Sequence, residues 1–291
     1  MILRLLFSGL VTGCMYGLLG IGYSTIYKAS GLMTLAQGDM FSLGAYMCWT
    51  FYAVLNLPFV IAVILGMAFM FGFGVIVEKG YIGTMVNNGA PTVFIVIGTV
   101  AIGFAIQGFI NLFWPWSVLN FKPIIKTEAV VIAGAEFRPE IFIVVAVSLI
   151  CMVVMHFFTK HTKFGTAMRA AAQDPKAAQA CGVNVGLTTR ITWGIAATMA
   201  ALGGCLLGPL YGLYAKLGQS MGEKGFAGAV AGGYGNMYGA MVGGLLIGVV
   251  EIMAAGYISS AYKDFVAYGL LMLILVVRPT GIFNEKALKM R

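Results

Sequence analysis

Two carboxylates stand within otherwise apolar stretches of this sequence, Asp39 and Glu251. A charged side chain inside an apolar span is costly unless it is paired or hydrated, so such a residue indicates a function by default. Three neutral polar residues, Gln37, Thr99 and Gln107, lie in comparable surroundings. We expect these side chains to line a polar path through the molecule. For Glu251 the sequence leaves open whether it lines that path or forms a structural pair.

Asp39 and Asn236 form a second pattern, because each follows a glycine in a similar short segment. The segments are GDMF at 38–41 and GNMY at 235–238, one in each half of the chain. If both open short helices, their positive N-terminal ends could face a carboxylate near the middle of the molecule. The alternative is that both residues simply cap helices.

Other kinds of chemistry find little support in the sequence. His156 and His161 have no third ligand beside them, so a metal site is not expected. The pattern G-x-x-x-x-G-K-[ST], which cradles nucleotide phosphates, is absent. We therefore expect no cofactor, metal or nucleotide on this chain, and no nucleophile with a nearby base suggests a hydrolase. The cysteines lack paired C-x-x-C spacing and read as small apolar residues: Cys14, Cys48, Cys151, Cys181 and Cys205.

The composition identifies the elements that must position these residues. Of 291 residues, 60% are hydrophobic and 10% charged, and the mean hydropathy is +0.93, which indicates an integral membrane protein. The apolar runs are continuous rather than alternating, so helices are favoured over a barrel. We predict an all-α, polytopic bundle forming one transmembrane domain, 1–291. The predicted spans number about eight: 5–26, 40–56, 58–77, 92–113, 140–158, 191–213, 238–257 and 263–278.

Three segments need separate interpretation. Segments 30–40 and 225–237 are too polar and glycine-rich for ordinary spans, so we predict short or re-entrant helices there. The N-terminus resembles a signal peptide that ends near Cys14. The apolar run continues past Cys14 to Ile26, however, which favours a first membrane span.

Charge placement predicts the orientation in the membrane, because cytoplasmic loops accumulate Lys and Arg. Loop 159–190 holds five basic residues and one acidic residue, whereas charges in loop 114–140 are balanced. We therefore expect loop 159–190 and the basic C-terminal tail on the cytoplasmic side. This requires that 225–257 is not a single simple crossing. The net charge of +8 fits this topology and anionic lipid, and needs no nucleic acid.

Glycines recur at four-residue spacing in two regions, 9–17 and 228–243. Such spacing places them on one helix face and predicts close helix crossing. The sequence does not distinguish static packing from surfaces that slide during gating.

Loop 159–190 contains signals for two short helices. Asp174 and Pro175 read as an N-cap and first helical residue, and Gly182 as a stop, while an alanine-rich helical stretch precedes them. Small alanine faces bordered by Arg169 and Lys176 would let a partner approach closely. The alternative is a solvated loop whose basic residues bind lipid.

Three segments together resemble the LivH-type permeases of ABC importers for branched-chain amino acids and related solutes. They are LAQGDMFSLGAY (35–46), RAAAQDPKAA (169–178) with Gly182, and AGGYGNMYGAMVGG (231–244) leading to RPTGIF (278–283). The resemblance covers nearly the whole chain. It implies that 165–182 is the coupling helix that docks in an ATPase cleft, through Gly165, Arg169, Ala171, Ala172, Asp174, Pro175, Ala177, Ala178 and Gly182.

The resemblance also implies the assembly. It consists of two peripheral ATPase subunits that bind ATP and Mg²⁺, a second permease subunit in a hetero- or homodimeric pore, and a periplasmic solute-binding protein. The expected location is a bacterial inner membrane. Branched-chain or other amino acids are the leading solutes, ahead of amides, urea and aromatic acids. An ATP-independent channel or ion-coupled carrier is the alternative function.

Overall fold

The computed structural model describes residues 2–121, 130–132 and 135–283. Apart from one two-stranded antiparallel hairpin, the regular structure in these residues is helical, which confirms the predicted helical bundle. Several charges used to predict the orientation lie outside the described residues: Lys122, Lys126, Glu128, Lys286, Lys289 and Arg291.

Twelve helices and two strands occur in the described part of the chain. Two π-helical turns extend them, Thr50–Val54 after α2 and Glu78–Ile82 between α3 and α4. The bounds are α1 (Ile2–Ser30), α2 (Gln37–Trp49), α3 (Phe59–Val77), α4 (Gly83–Asn87), α5 (Thr92–Phe113), β1 (Val130–Ile132), β2 (Ala135–Phe137), α6 (Pro139–His161), α7 (Lys163–Gln173), α8 (Pro175–Ala180), α9 (Val185–Tyr211), α10 (Leu217–Gly232), α11 (Met237–Tyr257) and α12 (Lys263–Val277).

Six of the described helical segments are long and apolar enough to cross a membrane. They are α1, α3 continued through α4, α5, α6, α9 and α11. The predicted spans 40–56 and 263–278 correspond to the shorter helices α2 and α12. Segment 225–237 lies mostly in α10, a short helix that already begins at Leu217. Segment 30–40 is not a helix of its own, because α1 continues to Ser30 and α2 begins at Gln37.

The centre of the bundle is α1, in which nearly every residue from 9 to 27 is buried. It packs closely on α11, since a Cβ added at Gly248 would lie 2.3 Å from Gly13 Cα. Helix α10 meets α11 in the same way, and a Cβ at Gly228 would lie 2.7 Å from Gly244 Cα. The predicted close helix crossings at glycines are therefore confirmed. The outer helices α3, α5, α6 and α12 expose apolar side chains, as lipid contact requires.

Both loop 159–190 and the last described residues lie at one end of the bundle. Thr159 Oγ1, at the end of α6, donates to Met237 Sδ at the start of α11 over 3.0 Å. The backbone N–H of Ile282 donates to the Ala231 carbonyl at 3.0 Å. Segment 225–257 contains the end of α10, which stops at Gly232, and the whole of α11, which begins at Met237. That this segment is not a single simple crossing of the membrane stays a prediction.

Candidate functional site

A cleft of about 370 Å³ opens between α1, α2, α5, α10 and α12. Aromatic and aliphatic side chains form much of its wall, including Tyr23, Phe104 and Phe226. Four polar side chains reach it: Asp39, Gln107, Gln219 and Glu223. A mostly apolar concave surface with a few convergent polar groups is typical of a small-molecule site.

Asp39 reaches this cleft because α2 begins inside the bundle. The non-helical residues 31–36 precede α2, and Asp39 lies in its first turn, where the helix dipole favours a negative charge. Gly38 allows α10 to approach, since a Cβ there would lie 2.3 Å from the Gly218 carbonyl oxygen. Ser42 Oγ then accepts the Gly218 N–H at 2.7 Å, which satisfies a donor at the start of α10.

A chain of polar contacts links the carboxylates of Asp39 and Glu223. Gln107 Nε2 donates to Asp39 Oδ1 at 2.8 Å and lies 3.5 Å from Gln219 Oε1. Gln219 Nε2 in turn donates to Glu223 Oε1 at 3.2 Å. Carboxylates accept several hydrogen bonds each, so acceptor capacity remains for a solute with N–H donors. The arrangement suits a small solute that combines an ammonium or amide group with an apolar part.

Gln219 and Glu223 were missed by the sequence analysis. They occupy i and i+4 positions of α10, so they share one helix face. The signal that could have identified them is this polar pair directly before the glycine-rich segment at 225. A helix beginning at Leu217 was not predicted, so the pair was not assigned to a face.

Gln37 and Thr99 hold the start of α2 in place and do not line the described cleft. Gln37 Nε2 donates to the Ala196 carbonyl at 2.5 Å. Thr99 Oγ1 accepts the Leu35 N–H at 3.0 Å and donates to the Val96 carbonyl at 2.7 Å. Both side chains therefore fix the non-helical entry into α2.

Glu251 forms a largely buried charged network and is not among the residues that line the cleft. Its Oε1 lies 2.5 Å from Lys224 Nζ, and its Oε2 accepts the Tyr16 hydroxyl at 2.7 Å. Lys224 Nζ also lies 2.6 Å from Asp264 Oδ1. The side chains of Lys224 and Glu251 are 9% and 3% exposed. Of the two roles left open for Glu251, the structure shows the pairing, and Lys224 is a partner that sequence reasoning missed.

Asp39 and Asn236 are not brought together, contrary to the paired-helix expectation. Asn236 caps α11, with its Oδ1 accepting the Gly239 N–H at 3.2 Å. It borders a separate cavity beside Thr159 and Arg169. Asp39 does not cap α2, whose N-cap position is Ala36. The alternative that both residues cap helices therefore holds for Asn236 and not for Asp39.

The two predicted loop helices form, and α8 has the predicted N-cap, whereas the cap of α7 was not predicted. Thr162 Oγ1 accepts the Gly165 N–H at 3.0 Å at the start of α7. Asp174 Oδ1 accepts the N–H groups of Lys176 and Ala177 at 2.9 and 3.1 Å, with Pro175 as the first residue of α8. Helix α8 ends at Ala180, and the predicted stop residue Gly182 follows the C-cap residue Cys181 with a φ of +83°.

Several of the predicted coupling residues fasten the loop to the bundle. Gly165, Ala171 and Ala178 are buried, and a Cβ at Gly165 would lie 2.1 Å from the Thr159 carbonyl oxygen. The Arg169 guanidinium donates to that same carbonyl. Ala172 is half-buried. The exposed residues from 173 to 182 are Gln173, Asp174, Pro175, Lys176, Ala177, Gln179, Ala180, Cys181 and Gly182.

Comparisons with known proteins agree with this arrangement. A family model described as branched-chain amino acid transport system / permease component matches residues 5–275. The high-affinity branched-chain amino acid transport system permease protein LivH of Salmonella typhimurium is 30% identical over 97% of this chain and 96% of its own length. LivH of Escherichia coli K12 and BraD of Pseudomonas aeruginosa match with the same identity and coverage.

One solved structure shares the fold. PsaBC from Streptococcus pneumoniae in complex with Fab superposes with a TM-score of 0.51 and 13% identity. The match covers 95% of this chain and 92% of that one. At this identity the likeness concerns the fold alone.

Proposed function

The chain belongs to the family of permease components of branched-chain amino acid transport systems, and on this premise we propose that it is the transmembrane subunit of an ATP-driven importer. Its solutes are branched-chain or related amino acids, as the names of its relatives suggest. The observation that carries the proposal is the polar chain from Asp39 through Gln107 and Gln219 to Glu223, set in an otherwise apolar cleft. This chain makes and breaks no bond in the solute.

The cleft supports an amino acid with an aliphatic side chain as the passing solute. The carboxylates of Asp39 and Glu223 provide acceptors for an ammonium group. Phe104 and Phe226, with Val100, provide apolar contact for the side chain. In this account Gln107 and Gln219 keep the two carboxylates in fixed positions between solutes.

The energy enters through α7 and α8 in this proposal. The assembly has two ATPase subunits, which bind ATP and Mg²⁺, and one of them docks on the exposed surface of α8 around Ala177. Because Gly165 and Ala171 anchor α7 in the bundle, a push on α8 reaches α1, α6 and α9. The assembly further contains a second permease subunit, a periplasmic solute-binding protein and membrane lipid.

The proposed orientation places α7, α8 and the C-terminus in the cytoplasm of a bacterium, with the bundle in the inner membrane. Its support is the basic charge at that end of the described bundle, including Lys28, Lys160, Lys163 and Lys176. Introduced cysteines provide the test. A cysteine at exposed Gln179 should react with a membrane-impermeant thiol reagent only after the cells are opened, with Cys181 replaced by serine beforehand.

Reconstitution tests the function as a whole. The chain, its neighbouring permease and ATPase subunits, and the solute-binding protein are placed in vesicles, and uptake of labelled leucine is measured. Accumulation against a gradient should require both ATP and the binding protein. The alternative, an ATP-independent channel or ion-coupled carrier, draws on the ionisable groups Asp39 and Glu251. Leucine entry driven by an ion gradient without ATP would favour that alternative.

A further inference from the structure

A second cavity, of about 240 Å³, lies where α1 ends, α6 ends, α7 runs and α11 begins. It shares no lining residue with the cleft around Asp39. Lys28, Lys160 and Arg169 all line it, together with His156, whose ring contacts the Tyr238 hydroxyl. Among the described lining residues none is acidic. The cavity therefore presents a concentrated positive charge from three different helices.

The start of α11 adds to this positive field. Met237 and Tyr238, the first two residues of that helix, line the cavity. The first N–H groups of a helix have no intrahelical acceptor; the Asn236 side chain accepts only that of Gly239, and the helix dipole is positive at this end. A helix N-terminus next to cationic side chains is a favourable place for a phosphate or carboxylate.

Arg169 is already held in place for such a ligand. Its guanidinium donates to the Thr159 carbonyl and, at 3.1 Å, to Thr166 Oγ1. A guanidinium has five N–H donors, so these contacts fix its position without using all of them. The cavity thus contains a guanidinium group in a fixed position. Its paired N–H donors suit phosphate oxygens better than a mobile ammonium group does.

Apolar side chains continue from the cavity along the outside of the bundle. Tyr238, Val242 and Leu246 are spaced by four residues on α11 and are 45%, 37% and 42% exposed. On α6, Val154 and Phe157 are each 56% exposed. Because these residues lie in helices that are long and apolar enough to cross a membrane, their exposed faces meet acyl chains. A ligand in the cavity can therefore have a charged head and an apolar tail.

We infer that this cavity binds an anionic phosphate group, and that the adjoining apolar faces select the headgroup of an anionic phospholipid over soluble phosphate. The lipid phosphate lies between Lys160 of α6, Arg169 of α7 and Lys28 of α1. Its acyl chain follows the exposed side of α11. The bound lipid ties α7 to the bundle, so this site links the surrounding lipid to the loop that includes α8.

Native mass spectrometry of the purified full chain tests this inference. The protein is equilibrated with phosphatidylglycerol or with phosphatidylcholine of the same acyl chains, and lipid retained on gentle activation is counted. The wild type should retain one phosphatidylglycerol in clear preference to phosphatidylcholine. The double variant Lys28→Gln/Lys160→Gln should lower that retention at least about fivefold, since it removes two of the cationic contacts. Lys160→Arg keeps the charge and should retain the lipid as the wild type does.

Two further arms separate the possible results. Lys79→Gln removes a lysine that is exposed elsewhere on the bundle and should leave retention unchanged. Inorganic phosphate alone should bind far more weakly than phosphatidylglycerol does. Equally tight binding of inorganic phosphate would overturn the lipid assignment. Equal retention of both lipids, with no effect of the lysine substitutions and no phosphate binding, would overturn the site altogether.

Discussion

Gln107 Nε2 donates a hydrogen bond of 2.8 Å to Asp39 Oδ1, although the two residues are 68 positions apart in sequence. The contact joins the middle of α5 to the first turn of α2. It places a carboxylate in a cleft whose walls contain both aromatic and aliphatic side chains. A close glycine contact also shapes this place, because a Cβ at Gly103 would lie 2.2 Å from Asp39 Oδ2. The carboxylate therefore has little room to turn away from the cleft.

Asp39→Asn should reduce solute uptake while the assembly stays intact. The amide keeps the size of the carboxyl group and still accepts from Gln107, but it loses the charge that strengthens a bond to an ammonium group. We expect the initial rate of ATP-dependent leucine uptake to fall about fivefold, since charge-assisted bonds exceed neutral ones by roughly 1 kcal/mol. Glu140→Gln, an equivalent change at the start of α6, is the control. Equal losses of uptake and of complex assembly would reduce Asp39 to a structural role.

The network around Glu251 should stabilise the fold as a unit. Removing one member of a buried ion pair typically costs about 3–5 kcal/mol, because the other charge is left without its partner. We expect such a loss in the unfolding free energy for Glu251→Gln and for Lys224→Met. The double variant Lys224→Met/Glu251→Met should lose clearly less than the sum of the two. Reversible denaturation in mixed micelles measures this, and additive losses would contradict the pairing.

The helix crossing between α1 and α11 should not tolerate a side chain. A Cβ at Gly248 would lie 2.3 Å from Gly13 Cα, so Gly248→Ala forces two backbones apart. Overpacking of this kind costs about 1–3 kcal/mol, and we expect a lower melting temperature and yield. Gly72→Ala is the matched control, because a Cβ there meets nothing within 4 Å. If both variants melt alike, the close crossing is not required.

Asn236 should affect stability and not solute selectivity. Its side chain caps α11, and losing such a cap typically costs about 1 kcal/mol. We expect Asn236→Ala to lower the free energy of unfolding by that amount. Asn236→Ser keeps a cap and should unfold with the same free energy as the wild type. The ratio of leucine to other amino acids taken up should be the same in both variants. A changed ratio would indicate that Asn236 lines the solute path.

Much of this fold could be predicted because its signals are local. Asp174 and Gly182 are residue types with clear preferences for the two ends of a helix, and helix α8 lies between them. The long apolar helices follow from the need to satisfy every backbone polar group in lipid. Glycines at four-residue spacing predicted close helix crossings, although the sequence did not identify α11 as the partner of α1.

What escaped prediction depends on contacts between distant segments. Helix α10 is short and polar at its start, so neither length nor hydropathy identified the face that carries Gln219 and Glu223. The pairing of Lys224 with Glu251 joins two helices through side chains 27 residues apart, and no local pattern encodes it. Residues 31–36 let α2 begin inside the bundle, and that entry depends on Gln37 and Thr99 bonding to distant backbone.

The most direct test of the account is ATP-dependent leucine accumulation by vesicles that contain the complete assembly with Ala177→Arg in this chain. Ala177 is exposed on α8, and a bulky charge there should prevent close docking of an ATPase. We predict that accumulation falls about tenfold or more, together with ATPase co-purification, while Asn88→Arg, an exposed substitution after α4, leaves both unchanged. Normal accumulation by the Ala177→Arg assembly, or accumulation without any ATPase bound, would contradict the account.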